Sequence, residues 1–256
     1  MKTAIKLFVG AIMLTSLYAC NENSDTASND PNNPSGFNLA SFASWPTITG
    51  DADPEQAGQN NLVFVTDRSG SMDDPACGSE AVSKSNVVAK TISGFIPNIP
   101  SDVAVGYIDF GNENVVQVPL GKNNRDALTN AASSHRPDMG GTYVGHAIER
   151  AYDMLADAAV AQGGVGTFRM VLIVDGGASD LGKLETILGK IENTPIEVLT
   201  AGFCIGSGHM LNQPNDMVYV EANDASGLEA VMTAAVKMEA PAVTGDFVGA
   251  DPEETQ

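Results

Sequence analysis

The chain has 256 residues, with 13 Lys and Arg against 32 Asp and Glu, and a formal charge of −19. That balance argues against nucleic acid as a partner, because phosphate binding needs a basic surface, and against electrostatic attachment to anionic lipid. Solubility accounts for most of so much negative charge.

Taken in chain order, the first residues are a targeting segment. Lys2 and Lys6 supply a basic start, and Leu7 to Tyr18 is an apolar run too short to span a bilayer comfortably, as in a secretory signal. Ala19 before Cys20 resembles the lipobox of bacterial lipoproteins, in which the cysteine is lipid-modified and becomes the new N-terminus. An ordinary signal peptide with an incidental cysteine is the alternative. Loss of residues 1–19 leaves 11 basic and 32 acidic residues, a charge of −21. Asn21 after the lipid cysteine favours outer-membrane sorting in a Gram-negative cell. Residues 20–58, rich in Asn, Ser, Asp, Pro and Gly, read as a flexible tether with a reach of about 30–35 Å. Within it, Phe37 to Ile48 is more apolar and could pack on the domain as an extended arm. No later stretch approaches the ~20 apolar residues of a membrane helix.

Residues 59–240 read as one domain, followed by an acidic tail at 241–256. Asn61 to Thr66 is a continuous apolar run of the kind buried on both faces of a sheet. Ser79 to Ile96 predicts a helix. Val103 to Phe110 and Val115 to Leu120 predict two strands joined through Gly111-Asn112-Glu113-Asn114, a hairpin signal. Arg125 to Ser133 is a short helix, and Val144 to Val160 a longer one with Ile148, Tyr152 and Leu155 at helical spacing. Phe168 to Val174 is a second mostly apolar strand, followed by a helix over Leu181 to Ile191. Strands at Ile196 to Phe203 and Met217 to Val220 precede a last helix, Gly227 to Met238. The alternation implies an α/β fold: a mostly parallel sheet covered on both sides, with one antiparallel edge strand.

In open parallel sheets, ligands bind at the carboxyl ends of the strands. Three loops there carry residue types suited to a hard cation. The first apolar strand runs into Asp67-Arg68-Ser69-Gly70-Ser71, the long helix is preceded by Gly140-Gly141-Thr142, and the second apolar strand ends at Asp175-Gly176-Gly177. A magnesium-sized ion takes six oxygens in near-octahedral geometry and keeps some water. Asp67 supplies charge, Ser69 and Ser71 supply neutral oxygens from alternate positions, Thr142 can add a hydroxyl, and Asp175 a carboxylate, direct or through water. Asp-x-Ser-x-Ser alone is common in polar loops, where a turn with a helix cap explains it. Three suitable loops, two of them directly after the most apolar strands, shift the balance to a site.

The order of elements and the motif Asp67-x-Ser69-x-Ser71, then Thr142, then Asp175, resemble the von Willebrand factor type A (VWA) domain and its metal-ion-dependent adhesion site, over roughly residues 59–240. The resemblance implies a Rossmann-like doubly wound sheet with helices on both faces. It also implies a Mg²⁺ site (or Mn²⁺ or Ca²⁺) held by Asp67, Ser69, Ser71, Thr142 and Asp175, whose coordination is completed by an acidic side chain of a protein partner. Val174 departs from the Thr that commonly precedes the last Asp. Asp73 and Asp74 suggest the adjacent second metal site of some integrin domains, but their spacing is one residue short and a solvated acidic loop is preferred. On this fold Cys77 and Cys204 fall on the same rim, so a Cys77–Cys204 disulfide is expected, with free buried thiols as the alternative.

The expected function is therefore a lipid-anchored, metal-dependent adhesion module of the cell envelope, not an enzyme. A metal-stabilised assembly or scaffold component of an envelope complex is the alternative. A remoter one is a cysteine hydrolase: Gly202-Phe203-Cys204-Ile205-Gly206 formally matches a nucleophile elbow, with His209 nearby, but the residues that follow lack the required helix pattern. His146 and Glu149 lack further zinc ligands. Gly140 to Gly145 has P-loop spacing, yet His146 stands where the phosphate-gripping Lys belongs.

Overall fold

Leu62, Val63, Phe64 and Val65 are all fully buried, and they face two different apolar layers in alternation. Strand side chains alternate with period two, so a strand covered on both faces must be apolar at every position. The computed structural model of the chain describes Trp45, Pro46, Ile48 and residues 56–77, 81–111, 115–212 and 217–237. The signal segment, Cys20, most of the tether, the hairpin turn at 112–114 and the acidic tail lie outside the described residues.

Six strands, β1 (Gln59–Asp67), β2 (Val103–Phe110), β3 (Val116–Gly121), β4 (Gly166–Val174), β5 (Ile196–Phe203) and β6 (Met217–Ala222), form one sheet in the order β3-β2-β1-β4-β5-β6. Only β3 is antiparallel, paired to β2 at the edge. Five helices cover the sheet: α1 (Lys84–Phe95), α2 (Arg125–Ser133), α3 (Val144–Ala161), α4 (Leu181–Ile191) and α5 (Ala225–Lys237). One layer joins Phe64, Tyr107 and Phe203 to Val88 and Ile92 of α1, Leu128 of α2 and Leu228 of α5. The other joins Val63, Ile108 and Leu172 to Ile148 and Leu155 of α3 and Leu184 and Ile187 of α4. The sheet is thus wound on both faces. Its strand order reverses direction between β1 and β4, the place where doubly wound sheets open a crevice beyond the strand ends. Among the described residues, no helix is long and apolar enough to cross a membrane.

Two helix starts differ from their sequence expectations: α5 begins at Ala225, two residues before Gly227, and α1 differs more widely. Helix α1 begins at Lys84 instead of Ser79, because Pro75 and Ser83 form an antiparallel bridge and Ser83 then caps the helix, accepting from the Asn86 amide at 3.4 Å. At the opposite end of the sheet the domain is closed by polar and aromatic contacts. Asn61 and Gln162, both buried, exchange two side-chain hydrogen bonds of 3.0 Å. Trp45 packs edge-on against Tyr152 at 6.0 Å and tilted against Phe168 at 5.3 Å, so this part of the apolar arm does seat on the core.

Helices α3 and α4 pack tightly at Gly145, where a Cβ would stand 2.5 Å from the Leu184 amide nitrogen and 2.9 Å from Asp180 Oδ2. Gly145→Ala is expected to destabilise by about 1–3 kcal/mol, as overpacking does, despite alanine's better helix propensity. The check is a lower urea midpoint at unchanged m. A gain in stability would show that the two helices separate freely.

Candidate metal centre

Asp67 is the last residue of β1 and is fully buried. Its Oδ1 accepts a 2.7 Å hydrogen bond from the Ser69 amide, whereas Oδ2 is buried with no hydrogen-bond partner. Burial pushes the carboxyl up to about 7; the Ser69 amide opposes this, nearby Asp175 adds to it, and the Ser69 hydroxyl and Asp175 amide oppose it more weakly. The chain then tightens into a 3-10 turn, Gly70–Asp73. This brings the Ser69 and Ser71 hydroxyls within 3.2 Å of each other, and Ser71 donates to Asp175 Oδ1 at 2.7 Å. Asp175 stands directly after β4, the neighbour of β1 across the topological reversal.

The loop carrying Thr142 is drawn in by backbone contacts. The Gly70 amide donates to Gly140 O at 3.1 Å and the Asp138 amide to Arg68 O at 2.9 Å. The Thr142 amide donates to the Ser179 hydroxyl at 3.0 Å, and the Ser179 amide returns a 2.8 Å bond to Thr142 O. A Cβ at Gly141 would lie 2.9 Å from Ser179 Oγ, so a larger residue there would press on the hydroxyl that accepts from the Thr142 amide. The three predicted loops therefore converge. Asp67, Ser69, Ser71 and Asp175 are joined through a chain of hydrogen bonds, and Thr142 is buried in the adjoining loop.

Among the described residues no three His, Cys, Asp or Glu side chains gather as metal ligands. The set joined by hydrogen bonds has two carboxylates and two hydroxyls, all hard oxygens, which suits a cation of the magnesium, manganese or calcium type better than zinc. A buried carboxylate oxygen without a partner is rare and calls for an explanation. Asp67 Oδ2, orphaned beside two hydroxyls and a second carboxylate, fits a cation held at that point.

Sequence reasoning missed three features here. Lys84 Nζ lies 2.9 Å from Asp175 Oδ2 and 3.4 Å from Ser71 O. It comes from the first turn of α1, and no strand-to-loop pattern points to it. Behind β1, Thr66 donates to Tyr107 Oη (2.9 Å) or Asp109 Oδ1 (3.2 Å), and Asp109 Oδ1 also meets the buried His135 Nδ1 at 2.8 Å. Burial, with Asp109 beside it, pushes the Tyr107 phenol well above its ordinary range. The only sequence signal of this network was a polar residue inside an otherwise apolar strand. Beside the Asp67–Ser71 loop, Met139 is 76 % exposed in the left-handed region, at φ 59°, which carries strain for a non-glycine residue.

The remaining candidates resolve as follows. Asp73 and Asp74 are exposed. His146 Nδ1 and the His146 amide both bond Asp180, at 2.8 and 2.9 Å, at the start of α3, and Glu149 pairs with Lys183. Cys77 and Cys204 form a disulfide with Cα atoms 5.5 Å apart. Cys204 is thus no free thiol, and no helix follows it directly: the chain turns, and His209 Nε2 bonds Gly176 O at 2.7 Å.

Comparison with known proteins gives the family. No curated relative matches the chain. A manganese-loaded TRAP protein of Plasmodium vivax shares the fold at a TM-score of 0.54 and 18% identity, over 70% of this chain and 73% of that one. The pilus adhesin SpaC of Lactobacillus rhamnosus GG shares it at 0.52 and 17%, over 73% of this chain, which spans only 31% of that adhesin. At such identities the likeness establishes fold alone. The von Willebrand factor type A domain family itself matches residues 61–235. By that match, and by a doubly wound sheet with its loops converging on Asp67, this chain belongs to the VWA family.

Proposed function

We propose that this chain is a lipid-anchored, divalent-metal-dependent protein-binding module. Asp67, Ser69, Ser71, Thr142 and Asp175 hold the ion, and an acidic side chain of a partner completes its coordination. The observation that carries this reading is the buried, unpartnered Oδ2 of Asp67 in a carboxylate tied by hydrogen bonds to the Ser69-Ser71 loop and through it to Asp175. The ion, Mg²⁺ or Mn²⁺, would supply positive charge and an open coordination position. Two carboxylates barely neutralise a dication, so it retains attraction for a third. The family and the surface-adhesion setting of SpaC are in keeping with a binding role. Cys20 provides the lipid, and the intervening stretch spaces the domain from the envelope surface, the outer membrane in a Gram-negative cell.

A negative chain repels an acidic partner at long range, but screening confines surface repulsion to about 8–10 Å at physiological salt, so the dication governs contact. The test is calorimetric titration of MnCl₂ into the EDTA-stripped protein, coupled to pull-down from envelope extract in Mg²⁺ or EDTA. Saturable metal binding, and a partner held only with metal and lost in Asp67→Ala, are expected. A partner retained equally in every condition removes the metal from the mechanism. One observation favours a second reading. Lys84 already neutralises Asp175, as in a site serving stability alone. Metal-dependent melting with no metal-dependent partner would select that scaffold role.

A further inference from the structure

We infer that Lys84 is a built-in counter-cation of the metal centre: it holds Asp175 in the metal-free protein and must withdraw when a divalent ion binds, so that it sets the metal affinity of the site. This rests on the metal-binding reading above, and it assigns to α1 a part in that reading which the loop motif does not contain.

The two carboxylates of the site are treated unequally. Both oxygens of Asp175 are engaged, Oδ1 by the Ser71 hydroxyl at 2.7 Å and Oδ2 by the Lys84 ammonium at 2.9 Å. Asp67 receives no such cation, and its Oδ2 stays bare. The pair is enclosed: the Lys84 side chain is 12% exposed and that of Asp175 is 0% exposed. This is not a surface ion pair that salt would dissolve. The ammonium also reaches Ser71 O at 3.4 Å, so it caps the turn that presents two of the hydroxyls.

Its origin adds a second, independent argument. Lys84 is the first residue of α1, and no acidic residue stands in that first turn. The N-terminus of a helix carries positive partial charge and favours acidic side chains, so a lysine there is locally disfavoured. Asp175 from another loop is what compensates it. A flexible four-carbon stem with a compact charge can swing away, which a rigid guanidinium fork does less readily.

An ammonium and a dication cannot share one carboxylate cheaply, because like charges held that close repel strongly even where the surroundings screen them as a protein surface does. Metal binding therefore displaces Lys84 from Asp175 Oδ2, and the wild-type site binds more weakly than its donors alone would allow. Loss of a side chain that merely supports the loop would weaken metal binding. Loss of a competitor strengthens it, and the opposite signs separate the two roles.

The experiment is titration of MnCl₂ into the EDTA-stripped full chain, for wild type, Lys84→Met and Lys84→Arg, with melting temperatures of each in EDTA and in saturating Mn²⁺. Lys84→Met is expected to bind Mn²⁺ about ten-fold or more tightly than wild type, and to melt lower in EDTA yet gain more from the metal. Lys84→Arg, which keeps the charge, is expected to bind no more tightly than wild type. Lys84→Gln serves as the neutral variant if Lys84→Met does not fold. If wild type binds Mn²⁺ and the neutral variant binds it equally or more weakly, the inference is overturned while the metal centre stands. If neither binds Mn²⁺ at millimolar concentration, the metal centre itself is overturned, and Lys84 becomes its permanent substitute.

Discussion

In EDTA, the stability of wild-type protein is expected to fall between about pH 4 and pH 7 by more than that of Asp67→Asn, the difference reaching about 4 kcal/mol. In the unfolded chain the Asp67 carboxyl ionises near its ordinary 3.8, and in the folded protein at about 7. Below both values it is protonated in either state and makes no difference. Between them the unfolded chain releases its proton while the native state retains it. The unfolded state then binds fewer protons, so stability drops as pH rises. Above 7 both are ionised and the deficit levels off. Asparagine keeps an oxygen for the Ser69 amide, which donates to Oδ1 at 2.7 Å, and never acquires the buried charge.

A divalent ion reverses the order. It binds the ionised carboxylate, so Mn²⁺ should stabilise wild type above pH 7 and leave Asp67→Asn nearly unmoved. Urea unfolding of both proteins from pH 4 to 8, with EDTA and with Mn²⁺, measures all four curves. Parallel pH profiles for the two metal-free proteins would mean that the native environment does not burden this carboxyl, and the argument from its orphaned oxygen would collapse.

Removal of the Cys77–Cys204 bridge is the second large effect. The cysteines are 127 residues apart in sequence, and closure of so long a loop restrains the unfolded chain by about 5 kcal/mol in the chain-entropy treatment. Native bridges of small secreted domains are worth about 2–5 kcal/mol on removal. For a domain of this size that corresponds to a melting temperature lower by roughly 5–15 °C in Cys77→Ser/Cys204→Ser or in excess reductant. The bridge also ties the segment after the Gly70–Asp73 turn to the end of β5, where Cys204 has φ 59° and its amide donates to Ala222 O at 2.9 Å. Its loss should therefore loosen the serine loop and weaken Mn²⁺ binding as well. Calorimetry with and without reductant reads both quantities. A shift under about 2 °C would show that the bridge restrains neither state.

Much of this architecture is legible in the chain because its strongest signals are local and periodic. The continuous apolar run at Asn61 to Thr66 and the mostly apolar one at Phe168 to Val174 are short and rich in β-branched residues, as strands covered on both faces are, and they form β1 and β4. Helices α2 and α4 begin and end at the expected residues, Arg125–Ser133 and Leu181–Ile191. The sequence pattern starts helix α1 five residues ahead of its true first turn at Lys84, because a cap and a bridge to Pro75 depend on partners outside the helical period. Asp67, Ser69, Ser71 and Asp175 could be nominated from sequence, since polar residues directly after buried strands must sit at the strand ends, and the structure joins them.

What sequence could not reach is everything set by distance in three dimensions. Lys84 meets Asp175 across 91 residues, Thr66 meets Asp109 across 43, and His135 meets Asp109 from the end of α2. No periodicity or spacing encodes such pairs, because they depend on how helices seat on the sheet. The sequence by itself determined the fold class, the end of the sheet that carries the loops, and the oxygen donors brought there. Only the tertiary structure decided that Asp67 keeps a bare, buried oxygen while Asp175 is already held by a lysine. Burial and charge balance belong to the packed molecule, and no stretch of chain carries them alone.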